Sequence, residues 1–297
     1  ANKGVIIIDV ARGPIVVEED VIELLDEGYI KSVGFDVFEV EPLSIDSKLL
    51  NYEQNIYGSH NGSNTVDAVL KTSKLAINKL YYFLFKERFY KRINFSFPKN
   101  INRWDLIKKI IAIKKFKTYL ELGCDDDNSF KKINVDFKIG VDPYSGGNFK
   151  GTSDFFFSQN NKKFDCIFID GLHEYNQVCR DIQNSLNFLN VGGIILLHDT
   201  LPTTLHQQAV PRYKMMWNGD VWKAIVNFRT KLDCDIITCR IDQGVSLIQK
   251  NSNKKLLSLK VKDFKKLKFK DFYENHEEYM RIFSYEDVIK YISNSSN

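Results

Sequence analysis

Two short apolar runs in the middle of the chain each lead directly into residues that can do chemistry. The first run, residues 164–169, reads Phe-Asp-Cys-Ile-Phe-Ile, and the second, residues 192–197, reads Gly-Gly-Ile-Ile-Leu-Leu. Imidazole and carboxylate groups can accept a proton from a reacting hydroxyl or hold a divalent cation. The reactive residues that follow the two runs are Asp170, His173, His198 and Asp199.

The elements that must position these residues form a βαβ unit over residues 164–200. Each apolar run has the length of a buried strand, and the segment between them is long enough for a crossover helix. In open parallel sheets, ligands bind just outside the carboxyl ends of the strands. We therefore expect the four residues to form one wall of an active site.

Length and composition place the chain among ordinary globular proteins. Its 297 residues favour two domains, with 43% hydrophobic and 27% charged residues. The net charge of +4 is too small to indicate nucleic-acid binding, and no apolar run reaches membrane-spanning length. The five cysteines form no C-x-x-C pair, which is typical of free thiols in a reducing compartment, so we expect a cytoplasmic protein.

Strands and helices alternate along the chain, which predicts an α/β fold. The first strand, residues 4–9, is continuously apolar and is predicted to be buried. We expect a solvated basic linker, with a nucleic-acid-binding patch as the alternative. We also expect a tail that covers a sheet with its lysines outward, with binding of those lysines to an anionic substrate or a membrane surface as the alternative. The predicted segments are a partial domain at 1–90, the linker at 91–103, the main domain at 104–250 and the basic tail with its helices at 251–297.

Three motifs near the front of the chain resemble the NAD-binding domain of the D-2-hydroxyacid dehydrogenases of the phosphoglycerate dehydrogenase group. They are Ala-Arg-Gly at 11–13, Asp-Val-Phe-Glu-Val-Glu-Pro at 36–42 and Ser-His-Asn-Gly-Ser-Asn-Thr at 59–65. Together they correspond to the C-terminal half of that domain, a partial Rossmann segment. The resemblance also implies that the chain forms a homodimer.

The same resemblance implies a role for each of three residues. Arg12 would orient the carboxylate of a hydroxy acid, His60 would act as the acid/base, and Glu41 would tune the His60 imidazole. The family's Gly-x-Gly-x-x-Gly turn is absent, however, and no glycine-rich turn within residues 1–95 can hold a pyrophosphate. We therefore expect this segment to be a truncated piece or a remnant, with NAD bound only in a full-length parent.

A second set of motifs resembles the class I S-adenosylmethionine-dependent methyltransferases of the family-24 type. The resemblance predicts a Rossmann-like domain with a mostly parallel sheet and a terminal antiparallel hairpin. The motifs are Tyr-Leu-Glu-Leu-Gly at 119–123, Gly-Val-Asp-Pro at 140–143, the two runs with their reactive residues at 164–173 and 192–199, and Gly-Asp-Val-Trp-Lys at 219–223.

The methyltransferase resemblance implies a cofactor site for S-adenosylmethionine. Asp142, at the end of the second strand, would accept hydrogen bonds from the ribose, and Asp170 would lie beside the point of methyl transfer. Asp127 stands where the family has a later glycine, so the loop at 125–127 is expected either to suit the cation or to leave the cofactor unbound. The remaining implied contacts are Glu121 and Gly123 at the methionine end and Ser153 and Asp154 at the adenine.

The methyl acceptor must lose a proton, which requires a base or a metal. The candidate catalytic residues are His198, Asp199 and His173, while Asp170, His198 and Asp199 form a candidate site for a divalent cation. Magnesium prefers oxygen ligands, so histidine in this set either weakens the prediction of a cation site or favours another metal. We expect methyl transfer to an oxygen of a small molecule, a sugar or a secondary metabolite. The alternatives are a fragment of a dehydrogenase fusion and a non-catalytic cofactor-binding or scaffolding module.

Overall fold

The computed structural model describes residues 3–62, 64–85, 90–212 and 215–294. Its contacts divide the chain into two units, Ala1–Arg88 and Phe89–Asn297. Residues 86–89, at the end of the predicted partial domain, lie outside the described residues, as does Ser63 of the third dehydrogenase-like motif. Among the described helices, none has the length and apolar character needed to cross a membrane.

The first unit is a small parallel sheet with helices. The strands pair in the order β1-β2-β3, and α1 packs its buried Val21 and Leu25 against Ile30, Val33 and Phe35 of the middle strand. These apolar residues form one cluster on one side of the sheet. The elements are β1 (Val5–Asp9), α1 (Glu18–Asp26), β2 (Ile30–Phe35), β3 (Ile56–Tyr57) and α2 (Val66–Phe85).

The prediction of a buried first strand is wrong. Strand β1 is the edge of the three-stranded sheet, and Ile6 and Ile8 are 58% and 73% exposed. Helix α2 likewise exposes apolar side chains, including Leu80 and Phe83. Apolar residues on both faces of a strand are typical of a sheet that is covered on both sides. In the described part of this unit, no second layer covers the exposed faces of β1 and α2.

The second unit is built on an eight-stranded sheet in the order β11-β9-β10-β8-β7-β4-β5-β6. Strands β4 to β8 are parallel, and β10 runs antiparallel to both β8 and β9. This topology confirms the predicted fold class, including the terminal hairpin. The elements are α3 (Arg103–Lys114), β4 (Thr118–Leu122), β5 (Phe137–Asp142), β6 (Phe149–Lys150), α4 (Ser153–Gln159), β7 (Phe164–Ile169), α5 (Tyr175–Asn187), β8 (Leu189–Leu197), α6 (Val221–Arg229), β9 (Asp235–Cys239), β10 (Val245–Gln249), α7 (Phe269–Met280), β11 (Ile282–Phe283) and α8 (Tyr285–Asn294).

The strand register brings the functional residues to one edge of this sheet. Leu122 of β4 is paired with Val141 of β5 on one side and with Ile169 of β7 on the other. Ile169 is in turn paired with Leu197 of β8. These four positions form a row across the carboxyl ends of the strands, because parallel strands end at the same edge. The next residue along each strand is therefore also in one row, namely Asp142, Gly123, Asp170 and His198.

The segment expected to be a solvated linker is part of the second unit. The Phe95 side chain is buried and meets the ring of His276 edge-on, at 5.3 Å between centroids. The backbone N–H of Ile93 donates to the carbonyl of Thr203 at 2.8 Å. Lys91, Arg92 and Lys99 of this segment are exposed, whereas Phe95 and Phe97 pack inward, so a prediction from its charge alone missed the packing.

The basic tail is an integral part of the second unit. Strand β11 extends the sheet in parallel with β9, and helix α7 packs on α6 while α8 packs on α3. Leu257, Leu267 and Phe269 are buried, whereas the lysines of residues 254–270 are exposed. The tail thus covers the sheet with its lysines outward, as expected from the sequence.

Candidate active site

A pocket of about 460 Å³ opens at the carboxyl ends of β4, β5 and β7. This volume lies within the roughly 300–1,000 Å³ range of sites that enclose small ligands. Five of the six residues predicted to contact a cofactor line it. They are Gly123, Asp142, Ser153, Asp154 and Asp170, and the wall also includes Leu122, Asp125, Val141, Pro143, Tyr144, Gly151, Thr152, Gly171, Leu172, Gln177 and Asp181.

The charged side chains that line this pocket, among the described residues, are all acidic. Five aspartates line it, and no lysine, arginine or histidine does so among the described residues. Such a lining attracts a cationic ligand and repels the phosphates of a dinucleotide. The five are Asp125, Asp142, Asp154, Asp170 and Asp181.

Gly123 allows the ends of β4 and β7 to approach closely at the edge of the pocket. Its φ of +88° is left-handed, and a Cβ at this position would lie 2.3 Å from the carbonyl oxygen of Asp170. The Gly123 N–H donates to Val141, and the Asp170 N–H donates to Leu122. Only glycine permits both the conformation and the close approach, which explains the residue at this position.

The Asp142 carboxylate organises the loops around the pocket. One oxygen accepts the backbone N–H groups of Cys124 and Asp125 at 3.1 and 3.0 Å, and the other accepts those of Tyr144 and Ser145 at 2.8 and 2.9 Å. Burial opposes its ionisation, but the four amide donors outweigh burial and lower the pKa of Asp142. We predicted that Asp142 would accept hydrogen bonds directly from a ribose. In the structure, however, the four acceptor positions of its carboxylate are already used by backbone N–H groups.

The loop with three aspartates closes in the conformation that a glycine would give. Asp127 has a φ of +65°, in the left-handed region that aspartate tolerates better than most residues. Its Oδ1 accepts the N–H of Gly147 at 2.6 Å. Its carboxylate is therefore held beside the β5–β6 loop and does not line the pocket. Asp127 therefore adopts a backbone conformation that glycine also adopts readily.

Glu121 differs from its prediction as a cofactor contact. It is 1% exposed in the central strand β4 and does not line the pocket. Its Oε2 accepts a hydrogen bond from the Tyr119 hydroxyl at 2.6 Å. Burial raises the pKa of Glu121 to about 8, so the side chain is protonated at neutral pH. Strands in the middle of a parallel sheet are covered on both faces, which is why this carboxyl does not reach the ligand side.

Replacing Glu121 with glutamine should make the protein less sensitive to alkaline pH. The carboxyl ionises near pH 4.5 when exposed and near pH 8 when folded, so between these values the folded chain holds one more proton than the unfolded chain. Stability therefore falls as the pH rises through this window. Relative to Glu121→Gln, the native protein should lose roughly 2–5 kcal/mol of unfolding free energy between pH 5 and pH 8. Urea unfolding at the two pH values measures this difference, and parallel pH profiles would contradict it.

Gln177 and Asp181 also line the pocket and were not predicted. Asp181 of α5 is buried, and its Oδ1 accepts the Ser153 hydroxyl at 2.6 Å and the Gln177 amide at 3.0 Å. Burial raises the pKa of Asp181 to about 6. The sequence does carry a signal for Asp181, because its spacing from Val178 and Ile182 places it on the buried face of the helix.

The four reactive residues named at the outset lie together, as predicted. Asp170 Oδ1 is 3.0 Å from His198 Nδ1 and 3.4 Å from His173 Nε2. Asp199 Oδ2 is 3.3 Å from His173 Nδ1 and 3.4 Å from His198 Nδ1. Asp199 also adopts a left-handed φ of +58°, a strained conformation of the kind that collects at functional sites.

Arg103 and Asp242 complete this cluster and were not predicted. Arg103, at the start of α3, lies 3.4 Å from Asp170 Oδ2 and donates to Asp242 Oδ2 at 3.0 Å. Asp242 accepts the His198 Nε2 hydrogen through its carbonyl at 2.7 Å. Three carboxylates thus face one guanidinium and two imidazoles, so the cluster is electrically balanced when both histidines are protonated.

The charges of the cluster stabilise the protonated state of His198. Burial opposes that state, but Asp170 and Asp199 outweigh burial and raise the pKa of His198 well above its ordinary value. Its Nε2 donates to a carbonyl and its Nδ1 faces Asp170, so neither nitrogen is available to a methyl acceptor. This geometry contradicts a direct catalytic role for His198 as a base.

The group able to hold a metal also differs from the predicted set. Ligand atoms of Asp170, His173 and Asp199 all lie within 4.8 Å of one another. His173 thus replaces His198, which is enclosed behind them and 4% exposed. The Nδ1 of His173 lies 3.1 Å from the Trp217 carbonyl, which orients the ring.

In the first unit, the structure pairs two of the three residues expected from the dehydrogenase resemblance. His60 Nδ1 lies 2.6 Å from Glu41 Oε2, and this bond lowers the pKa of Glu41. Asp36 accepts the N–H groups of Asn61 and Gly62, which fixes the loop that carries the histidine. The Arg12 guanidinium donates to the neighbouring Ala11 carbonyl at 2.6 Å and joins no described contact with the other two.

Two family models match parts of the chain. Residues 1–62 match the NAD-binding domain of the D-isomer specific 2-hydroxyacid dehydrogenases, and residues 135–200 match a methyltransferase domain. The second match spans β5 to the end of β8 and therefore covers much of the candidate active site. A mostly parallel α/β architecture is common to both domains, and both resemblances read from the sequence are supported at this level.

Individual relatives match about a quarter of the chain. Glyoxylate/hydroxypyruvate reductase B of Enterobacter sp. (strain 638) is 40% identical over 79 residues, and that of Salmonella newport (strain SL254) is 41% identical over the same length. Each alignment covers 27% of this chain and 24% of the relative, so the chain spans about a quarter of these curated proteins. A 2-hydroxyacid dehydrogenase structure from Xanthobacter autotrophicus Py2 is 31% identical, covering 28% of this chain and 34% of its own, with a TM-score of 0.24.

Proposed function

We propose that the second unit is a methyltransferase that uses S-adenosylmethionine and methylates an oxygen of a small molecule, a sugar or a secondary metabolite. The observation that carries this proposal is the acidic pocket at the strand ends, which contains five aspartates and no basic residue among those described. S-adenosylmethionine is a cation with an ammonium and a sulfonium group, unlike the anionic dinucleotides that also bind Rossmann-like sheets. The match of residues 135–200 to a methyltransferase domain supports the same class.

The residues present fit this ligand. Asp125 and Asp170 would lie beside its cationic groups, and the apolar Leu172 and Val141 would flank its rings. Ser153 and Asp154 would contact the adenine, with Gln177 and Asp181 fixing the Ser153 hydroxyl. Asp142 would act as a positioning residue through the loop amides that it holds. When bound, S-adenosylmethionine supplies an electrophilic methyl group.

The acceptor hydroxyl would be deprotonated beside Asp170, His173 and Asp199. The His173 side chain is 16% exposed, against 4% for His198, and its Nε2 faces Asp170 while its Nδ1 faces Asp199. His198 would hold Asp170 in place through its hydrogen bond at 3.0 Å. A divalent cation held by Asp170, His173 and Asp199 would supply Lewis-acid stabilisation of the alkoxide.

A metal titration tests the role of this trio. Because one ligand is an imidazole, Mn²⁺ should bind at least about tenfold more tightly than Mg²⁺. The metal must displace protons that the carboxylates favour on His173, whose pKa is raised, so binding should weaken as the pH falls. His173→Ala should abolish the preference for Mn²⁺, whereas His276→Ala, outside the cluster, should not. Equal binding of both metals to the native protein and to His173→Ala would contradict a metal site here.

The first unit is proposed to derive from the NAD-binding domain of a hydroxyacid dehydrogenase, with no dinucleotide site formed by the residues of this chain. Its His60–Glu41 pair, at 2.6 Å, favours this origin, as does the family match over residues 1–62. A full-length parent that couples hydroxyacid oxidation to methylation is the alternative. An unchanged NADH fluorescence on addition of the protein is expected, and an enhanced fluorescence would overturn the proposal because it would show a dinucleotide site within this chain.

The experiment that tests the proposed function is a calorimetric titration with S-adenosylhomocysteine, which keeps the adenine, ribose and amino-acid groups of the cofactor but lacks the methyl group and the positive charge on sulfur. NADH serves as the anionic nucleotide control. A non-catalytic scaffolding role for the second unit predicts that neither ligand binds.

A further inference from the structure

A second cleft lies on the loop that follows Asp199. Two adjoining cavities of about 510 and 590 Å³ share Arg92 and Thr203 in their walls. Met215 and Met216 give the first cavity an apolar side, and methionine side chains adapt to ligands of different shape. We refer to the two cavities together as the Arg92 cleft.

The Arg92 cleft has the opposite charge to the cofactor pocket. Its described lining residues include no aspartate or glutamate. Within the described chain, the exposed Arg92 guanidinium forms no hydrogen bond or ion pair. A cation in a wall whose described residues include no carboxylate attracts an anionic group.

Gln207 adds a fixed pair of donors to the cleft. It is 8% exposed, and its Oε1 accepts both the backbone N–H and the hydroxyl of Thr203 at 2.7 Å. A backbone N–H can only donate, so the oxygen of the amide must lie on this side and Nε2 on the other. The Nε2 hydrogens have no partner among the described residues, although the side chain is more than nine-tenths buried.

A hydroxyl completes the set of donors. Thr204 Oγ1 accepts the backbone N–H of Gln207 at 3.3 Å, which leaves its own hydrogen for a ligand. Guanidinium, amide and hydroxyl donors in one cleft match the several acceptor oxygens of a carboxylate or a phosphate.

One loop connects the cleft to the reactive cluster. The Gln207 carbonyl accepts the backbone N–H groups of Asn218 and Gly219 at 2.8 and 3.0 Å. The Asn218 side chain donates to Asp199 Oδ1 at 2.9 Å. A group bound beside Gln207 is therefore held by the same loop that holds Asp199.

We propose that the Arg92 cleft binds the anionic group, a carboxylate or a phosphate, of the molecule that is methylated. This inference rests on the proposed methyltransferase function and narrows its acceptor to a hydroxyl-bearing anion. Arg92 and the Gln207 amide bind the oxyanion, and Met215 and Met216 cover the apolar part of the acceptor.

Amide NMR titrations of the full chain test the inference. The probes are sodium phosphate and sodium acetate, with sodium chloride at equal ionic strength as the control. Saturable shifts are expected at Thr204 and Gln207, and the anion with the smaller Kd identifies the class of group. Arg92→Gln should weaken binding about tenfold or more, the loss of a charge-assisted hydrogen bond. Gln207→Glu keeps the acceptor for Thr203 and should abolish binding by repulsion.

The control variant is Lys91→Gln, which removes a neighbouring exposed charge outside the cleft and should leave the shifts unchanged. Absence of saturable shifts with both anions, or equal affinity in Arg92→Gln, overturns the inference. A parallel titration with S-adenosylhomocysteine separates this failure from a failure of the proposed function. Anion binding without S-adenosylhomocysteine binding overturns the methyltransferase proposal and, with it, the identification of the anion as a methyl acceptor.

Discussion

Gly123→Ala should abolish measurable binding of S-adenosylhomocysteine and destabilise the second unit by about 3–5 kcal/mol. The added Cβ would lie 2.3 Å from the Asp170 carbonyl oxygen and 2.7 Å from Gly171 Cα, which are backbone atoms that cannot rotate away. The left-handed φ of +88° adds strain of about 1–3 kcal/mol, and overpacking adds a similar amount. Relief of the clash requires β4 and β7 to separate where the pocket begins.

Gly192→Ala is the matched control for this prediction. Gly192 also has a left-handed φ, of +78°, but a Cβ there would meet no atom within 4 Å. It should therefore cost only the conformational strain, about 1–2 kcal/mol, and leave ligand affinity unchanged. Chemical unfolding and calorimetry measure both quantities. Equal effects of the two substitutions would show that the approach of Gly123 to Asp170 does not shape the pocket.

Asp142→Asn should lower the stability of the second unit by about 2–4 kcal/mol and weaken S-adenosylhomocysteine binding at least about tenfold. The amide retains one oxygen but turns its NH₂ group toward two backbone N–H donors. One pair of loop amides, from Cys124 and Asp125 or from Tyr144 and Ser145, is then left without an acceptor. These loops carry the walls of the pocket, so stability and affinity should fall together.

Asp136→Asn provides the comparison for the loss of one carboxylate charge. Asp136 is exposed, and its one described partner is the surface Lys117 at 3.0 Å, so its replacement should change stability by less than about 1 kcal/mol. If Asp142→Asn behaves like Asp136→Asn in stability but loses affinity, Asp142 contacts the ligand directly. That result would restore the ribose contact expected from the family resemblance.

Much of the second unit could be predicted from the sequence because its signals are local. Apolar runs that end in Asp142, Asp170 and His198 mark the carboxyl ends of strands, and parallel pairing then places those residues in one row. The antiparallel hairpin follows from two strands joined by a loop too short for a crossover. These inferences need neither side-chain directions nor contacts between distant segments.

The parts that were missed depend on distant contacts. Arg103 and Asp242 are 139 positions apart, and no spacing in the sequence indicates that they meet at Asp170. The burial of Glu121 depends on which strands lie on either side of β4. The exposure of Ile8 likewise depends on neighbours that the described first unit does not contain. The assignment of His198 as a base failed because its two nitrogens are engaged by a carboxylate and a carbonyl from different segments.

The claim that the acidic pocket binds the cofactor is tested most directly by calorimetric titration of the full chain with S-adenosylhomocysteine. We predict saturable one-to-one binding, with a Kd on the order of micromolar, and no heat with NADH under the same conditions. Asp170→Asn should weaken that binding, because Asp170 lines the pocket with one of its five carboxylates. Absence of heat with S-adenosylhomocysteine at millimolar concentration, in a protein whose cooperative unfolding shows that it is folded, would contradict the methyltransferase proposal.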